Sequence, residues 1–407
     1  MELTPKLRDV EAHFVNQPGQ QGVLLSDPLR LVDQAVLLPM ALAPLLELCD
    51  GTRDEAALRA SLAVRAGVQI GPSTLEQVLE QMDEALLLDN QHFAEAYASA
   101  LNDFRNAPFR APASAGQSYP ADPDELKARL ESYAKESGQN DEPVAAPEGE
   151  IRGLVSPHID YERGGQVYAG VWHAAAEAIK EAELAIVLGT DHVGGAKLAL
   201  THQRYATPWG ALPTANTIVD QVAQAVGPEV VFERELHHRA EHSIELAVVW
   251  LHHILGEREC PLVPVLCGGF EPFLEGSKRP VEDAELMAAL GVLREAAASH
   301  NTIVVAAGDL AHVGPAFGDG YAIDFLEKAR LKSHDEELVG ALCRGDEDAF
   351  LQQIRDEGDR RRVCGVPPIY LALWLLGASE GRVTGYAQCP ADGRGTSFVS
   401  ICGMVFS

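Results

Sequence analysis

At 407 residues the chain exceeds one ordinary hydrophobic core, so two or three domains are expected. With 46% hydrophobic and 23% charged residues it has ample material for packed structure and is not disordered in bulk. A formal charge of −28 repels phosphate backbones and argues against a nucleic-acid partner.

The longest apolar run, "AVLLPMALAPLLEL" at 35–48, is too short to span a bilayer and carries two prolines and a glutamate. No basic segment followed by an apolar stretch opens the sequence, so neither a secretory signal nor a membrane partner is expected. The seven cysteines include no Cys-x-x-Cys pair and read as reduced thiols of a cytoplasmic protein.

Residues 1–95 are rich in leucine and helix formers, with turns at "LLSDPLR", "CDGTRDEAA" and "IGPSTLEQ". Ser73 is the expected N-cap of a helix over "TLEQVLEQMDEALLL", and "GVLLSD" reads as a short strand. This predicts a small, mostly helical domain of winged-helix type. Its fifteen acids against six bases turn that reading from DNA towards protein or peptide recognition. Residues 96–150 read as connecting material rich in Pro, Ala and Ser, holding one helix, "PDELKARLESYAKE".

From 151 to 407 short Val/Ile/Leu runs alternate with helical segments, the pattern of an α/β domain whose mainly parallel central sheet is flanked by helices. Three of those runs end in the same kind of residue. "GLVSPH" delivers His158, "LAIVLGTDH" delivers Asp191 and His192, and "VVAAGDLAH" delivers Asp309 and His312. Ligands of open α/β sheets bind beyond the carboxyl ends of the strands. Parallel neighbours would therefore bring these groups to one place, and imidazoles with carboxylates suit a first-row transition metal. The bland alternative is helix-capping aspartates and incidental loop histidines.

Two further stretches carry chemistry. In "RAEHSIELAVVWLHHIL" (239–255), His242 and Glu245 lie three apart on one helical face. The overlapping "HRAEH" (238–242) also fits the H-x-x-E-H pattern of inverted zinc proteases, with His238 and His242 as ligands and Glu241 as base. In "RRRVCGVPPIYLALWLL" (360–376), Cys364 sits between three arginines and a helix start, both of which favour thiolate. It reads as a soft metal ligand or nucleophile, or else as a buried inert cysteine like Cys49, Cys260, Cys267, Cys343 and Cys402.

Taken in order, "APASAGQSYPADPDELKARL", "SPHIDYERGG", "LGTDHVGG", "EHSIEL", "GDLAHVG", "VCGVPPI" and "GYAQCPADGRGTSFVSICGMV" resemble the Memo family, the "B" component of the AmmeMemoRadiSam set. The resemblance covers about 110–407. It implies the fold of class III extradiol dioxygenases, which are non-haem iron enzymes. It implies a metal site of His158, His192 and Cys364, with the cysteine in place of a carboxylate, holding Fe(II) or else copper. Asp309 and His312 would lie beside the metal, and His242 matches the histidine of the family's "EHSIE" segment. On that basis His312, Asp309 and His242 are the candidate catalytic residues. Asp160, Asp191, Glu245 and Tyr161 are the candidate substrate pocket. Asp160 and Asp191 depart from the usual family pattern and would make that pocket more acidic.

The front block, about 20–92, is similar to small winged-helix domains that bind leader peptides. These resemblances imply a metal-dependent oxidative enzyme acting on a small-molecule or peptide substrate, with radical SAM or other AmmeMemoRadiSam proteins as partners. The alternatives are a metal-binding adaptor without turnover and a zinc hydrolase built on His238, Glu241 and His242.

Overall fold

A computed structural model describes residues 4–17, 20–136 and 149–407 of the chain. It divides into two compact units, 1–106 and 107–407. The boundary falls after Asn106 and not near 95, because the helix Gln91–Asn106 runs on without a break. Within the first unit the Arg8 guanidinium stacks 4.4 Å over Phe93 of that helix. Part of the connecting stretch expected over 96–150, residues 137–148, lies outside the described residues.

In the first unit the strand expected at "GVLLSD" is the middle of three. β1 (Glu11–Gln17), β2 (Gln20–Ser26) and β3 (Val36–Pro39) form an antiparallel sheet in that order. Helices Glu55–Ala66 and Pro72–Glu84 follow, and they share with β2 and β3 one core that includes Leu25, Leu38, Leu45, Leu58, Leu62, Leu75 and Met82. Asp54 caps the first helix by accepting from the Ala57 N–H at 2.7 Å. The second helix starts one residue before the expected cap at Ser73. Pro72 opens it, since its fixed φ and missing N–H fit the first turn.

The second unit is the expected α/β domain, built on an eight-stranded sheet. In chain order its strands are β4 (Gly153–Ser156), β5 (Leu184–Thr190), β6 (Leu198–Leu200), a separate hairpin β7 (Tyr205–Thr207) and β8 (Gly210–Leu212), then β9 (Leu262–Cys267), β10 (Thr302–Ala307), β11 (His312–Val313), β12 (Gly381–Pro390) and β13 (Phe398–Phe406). The order across the sheet is β11-β13-β4-β10-β5-β9-β6, with β12 paired to β13. The centre, β4-β10-β5-β9, is parallel, while β6 and the β11–β13 side run antiparallel.

The central strands are buried on both faces, which is why they read as unbroken apolar runs. Alternation divides their side chains between two cores. Ile186 and Leu188 pack on one face, against the helices Ala284–Ser299 and Val366–Leu376. Ala185 and Val187 pack on the other, against Tyr161–Ala174 and Ser243–Leu255.

Register then places the site. Ala307, the last residue of β10, pairs with Ser156 of β4 on one side and Gly189 of β5 on the other. The carboxyl ends of three adjacent parallel strands are therefore level. His158, Asp309 and His192 each follow within two residues of such an end.

Candidate metal centre

His158 forms the floor. Its backbone N–H donates to Asp309 Oδ1 at 2.8 Å and its ring Nδ1 to the Ala307 carbonyl at 3.1 Å. With Nδ1 carrying the proton, Nε2 is left with its lone pair, and Cys364 Sγ lies 3.2 Å from it. His192 is set in the same way by a different partner. Its Nδ1 lies 3.0 Å from both carboxylate oxygens of Glu241, and its backbone N–H donates to the same carboxylate at 3.0 Å. Its Nε2 is therefore also free to bind a metal. One donor atom from each of His158, His192 and Cys364 lies within 4.8 Å of the others.

Cys364 reaches this point because two glycines permit it. A Cβ on Gly308 would stand 2.5 Å from Gly365 Cα, and one on Gly365 would stand 2.6 Å from the Asp309 carbonyl oxygen. No other residue type lets the end of β10 and the Cys364 turn approach so closely. The turn is pinned by Thr190 Oγ1 donating to Cys364 O at 3.0 Å and Gly365 N–H donating to Asp309 O at 2.9 Å. It bends through two non-glycine residues in the left-handed region, Asp359 (φ 46°) and Arg362 (φ 51°). Asp359 accepts from the Val363 N–H at 2.9 Å, and Arg362 bonds Asp319 and the His312 carbonyl.

Electrostatics separates Cys364 from the other thiols. Burial by itself would push it up, but the imidazoles of His158 and His312 hold it down to about 5. Burial instead lifts Cys49 and Cys260 to about 11, and also pushes Cys267 and Cys402 well up. The inert reading fits those residues and not Cys364. His158 is raised to about 9, because the sulfur and Asp309 outweigh its burial. Glu241 is buried, yet the imidazoles of His192 and His242 hold it well below the usual carboxylate range.

The remaining candidates fall into two groups. His242, Asp309 and His312 are at the site. The His242 ring stacks on His192 at 4.8 Å and meets His158 edge-on at 5.3 Å. Burial lowers His242 to about 4, so it is neutral near pH 7. Asp309 Oδ2 lies 3.7 Å from His158 Nε2. His312 Nδ1 donates to the Arg362 carbonyl at 3.1 Å. The Arg362 main chain, and not Asp309, thus orients His312. The His192 and His242 side chains are 37% and 40% exposed while His158 is 1%, so the site opens on their side.

The four residues expected to line the pocket have other work. Asp160 caps the helix Tyr161–Ala174 and pairs with Arg163 at 2.5 Å. Asp191 is buried and holds His237 Nδ1 at 2.8 Å together with the N–H groups of Val193 and Gly194. Glu245 is committed to Arg110, the N–H groups of Ala113 and Ser114, and Tyr119 Oη at 2.6 Å. It ties the segment 110–119 to the domain and forms no pocket wall. Tyr161 is buried with its hydroxyl on the Leu246 carbonyl at 2.6 Å. Asp160 and Asp191, the two residues expected to make the pocket more acidic, are thus each held by partners of their own.

The inverted zinc-protease pattern does not assemble. His238 is fully buried, with Nδ1 2.5 Å from Tyr205 Oη and Nε2 2.9 Å from the Ala199 carbonyl oxygen. Neither nitrogen is left for a metal. Residues 235–239 form a 3-10 turn that ends before His242, so His238 and His242 do not share an α-helical face. Glu241 instead orients His192, a role the sequence signals only by the adjacency of Glu241 and His242.

At the carboxyl ends of parallel strands His158 and His192 meet Cys364 from a neighbouring turn, a group able to hold a metal ion, in a fold consistent with that of the class III extradiol dioxygenases. The chain belongs to the Memo family: the family model described as "Memo-like protein" matches residues 110–405. A MEMO1 family protein of Aquifex aeolicus is 26% identical over 99% of this chain and 100% of its own length, so the likeness includes the first unit. Another, from Thermus thermophilus, is 31% identical over 78% of this chain and 89% of its own. One from Methanopyrus kandleri is 29% identical over 68% and 91%.

Proposed function

We propose that the chain is a metal-dependent oxidative enzyme in which His158, His192 and Cys364 hold one ion, iron(II) by first choice and copper by second. The observation that carries this is the hydrogen-bond pattern. Both histidines spend Nδ1 on protein acceptors, Ala307 O and Glu241; His158 turns Nε2 towards Cys364 Sγ, and His192 has a donor atom within 4.8 Å of the same group. A carboxylate behind a ligating imidazole is the usual support of a metal-bound histidine. Two imidazoles and a thiolate suit either metal.

Bound there, such an ion would supply one-electron redox chemistry. The chain's own residues supply the rest. His312, fixed through Nδ1, keeps Nε2 to take or give a proton. His242, neutral and partly exposed, offers a second hydrogen-bonding ring at the mouth. Asp309 fixes the His158 main chain and keeps one carboxylate oxygen at the site.

We further infer that the first unit, a three-stranded sheet followed by helices, recognises a peptide or a partner protein. Its support is the exposure of three large apolar side chains, Phe14, Leu37 and Met40, in and beside its strands. Among the described residues no helix is long and apolar enough to cross a membrane.

The test is oxygen uptake by the iron- or copper-loaded chain against a panel of catechols, thiols and peptides. Uptake that disappears in His312→Ala supports the enzyme. A chain that binds metal and consumes no oxygen with any of them is an adaptor.

A further inference from the structure

The helix Phe325–Cys343 carries a carboxylate where its core stripe calls for an apolar residue. Leu331, Asp335, Leu338 and Leu342 follow one another at helical spacing, and all four are buried, Asp335 fully. Replacing a buried ion pair by packed apolar residues is often neutral or stabilising, so stability alone does not account for the aspartate. Its bonds show what it holds. Oδ1 accepts from the Arg361 guanidinium at 2.6 Å and Oδ2 from Tyr386 Oη at 2.8 Å, and the Ser400 hydroxyl also bonds the carboxylate.

Two of these three partners lead to His312 by separate routes. Arg361 is itself buried and stands in the turn before Cys364. Its carbonyl accepts the His312 N–H at 2.6 Å, and the carbonyl of the next residue, Arg362, accepts from His312 Nδ1 at 3.1 Å. Ser400 lies on β13, beside β11. Its Oγ accepts the Ala311 N–H at 3.0 Å, and its main chain bonds Leu310 and Ala311 at 2.9 Å. The third partner, Tyr386 on β12, turns its hydroxyl to Gln388 instead.

A carbonyl only accepts, so the bond to Arg362 sets the proton of a neutral His312 ring on Nδ1. A free imidazole side chain prefers that proton on Nε2. The Arg362 carbonyl must therefore be held firmly, although Arg362 itself is bent into the left-handed region at φ 51°. We propose that Asp335 is the positioning residue of His312. Through Arg361 it fixes the turn whose carbonyls set the tautomer. Through Ser400 it fixes the strand that carries the ring, so that Nε2 stays unprotonated and available. What His312 does with that nitrogen rests on the oxidative reading; where its proton sits does not.

The experiment is nitrogen-15 NMR of the histidine rings in the full-length chain, at a pH where His312 is neutral, with its signals assigned by their loss in H312Q. D335N, S400A and Y386F are compared with the parent. The parent is expected to carry the ring proton on Nδ1. In D335N the ratio of Nδ1–H to Nε2–H is expected to fall by about two- to tenfold, the worth of one ordinary hydrogen bond, and in S400A in the same direction. Y386F also takes a bond from Asp335, and is expected to lower the melting temperature while leaving the ratio unchanged. Where D335N does not fold, S400A against Y386F carries the comparison. The proposal is overturned if the parent holds the proton mainly on Nε2, if a folded D335N or S400A keeps the parent's ratio, or if Y386F moves it as far as they do. Oxygen uptake plays no part in this readout, so a chain without oxidative activity leaves the proposal standing.

Discussion

Cys364 Sγ lies 3.2 Å from His158 Nε2, although the two residues are 206 positions apart in the chain. Without an ion, a thiolate and an imidazolium hold each other in that contact. The contact sets the sulfur apart from the other thiols of the chain, whose burial raises them.

In the metal-free chain alkylation at Cys364 should therefore persist well below the ordinary thiol range and fade only as pH drops through about 5. Because the folded value is depressed from about 9, the thiolate's contribution to stability is present above 9 and is lost as pH falls through about 5. His158, raised to about 9 from 6.5, contributes in the opposite sense, present below 6.5 and lost as pH rises through about 9. The check is the alkylation rate of the metal-free protein against pH, site-resolved by mass spectrometry. A midpoint near that of an ordinary thiol would contradict the geometry.

Glu241→Gln keeps the size of the side chain but removes the carboxylate that faces His192 Nδ1 and its backbone N–H. Loss of such a support typically costs about 10–100-fold in metal affinity. We expect that loss in a chelator competition assay, with the fold intact by circular dichroism. Unchanged affinity would mean that Glu241 does not orient the ligand.

Gly308→Ala puts a methyl 2.5 Å from Gly365 Cα. The end of β10 and the Cys364 turn must separate, at a cost of about 1–3 kcal/mol typical of overpacking. Metal affinity should fall with stability, although no ligand has been touched. Full affinity at lowered stability would show that the sulfur's position tolerates the shift.

Glu245→Ala tests the corrected role of that residue. It leaves Arg110 buried without its charge partner, which typically costs about 3–5 kcal/mol. Chemical denaturation should report that loss, while metal content at low temperature stays that of the parent. Metal lost from a folded variant would restore Glu245 to the site.

The meeting of the candidate ligands was legible because it comes in a form that one chain reveals. His158 and His192 each end an apolar run, and parallel neighbours bring such ends together whatever the detail of packing. Cys364 was open on local sequence and was separated from the other cysteines only by family resemblance, then by its contact with His158. The partners of the four residues expected to line the pocket were hidden for one shared reason. Asp160, Asp191, Glu245 and Tyr161 were placed by proximity to motifs, but a side chain's work is set by its hydrogen-bond partner. For Glu245 that partner is Arg110, 135 positions away, and for Asp191 it is His237 in a turn without a local signature. Glu241 was hidden by a competing pattern. Spacing alone cannot show that His238 faces Tyr205 while Glu241 and His242 face the metal site.

The most direct test of the central claim is elemental analysis of the chain purified without oxygen, beside its Cys364→Ser and His238→Gln variants. We expect about one iron or copper per chain in the parent, the same in His238→Gln, and loss in Cys364→Ser. Metal kept in full by Cys364→Ser, or zinc that is lost only with His238, would contradict the site.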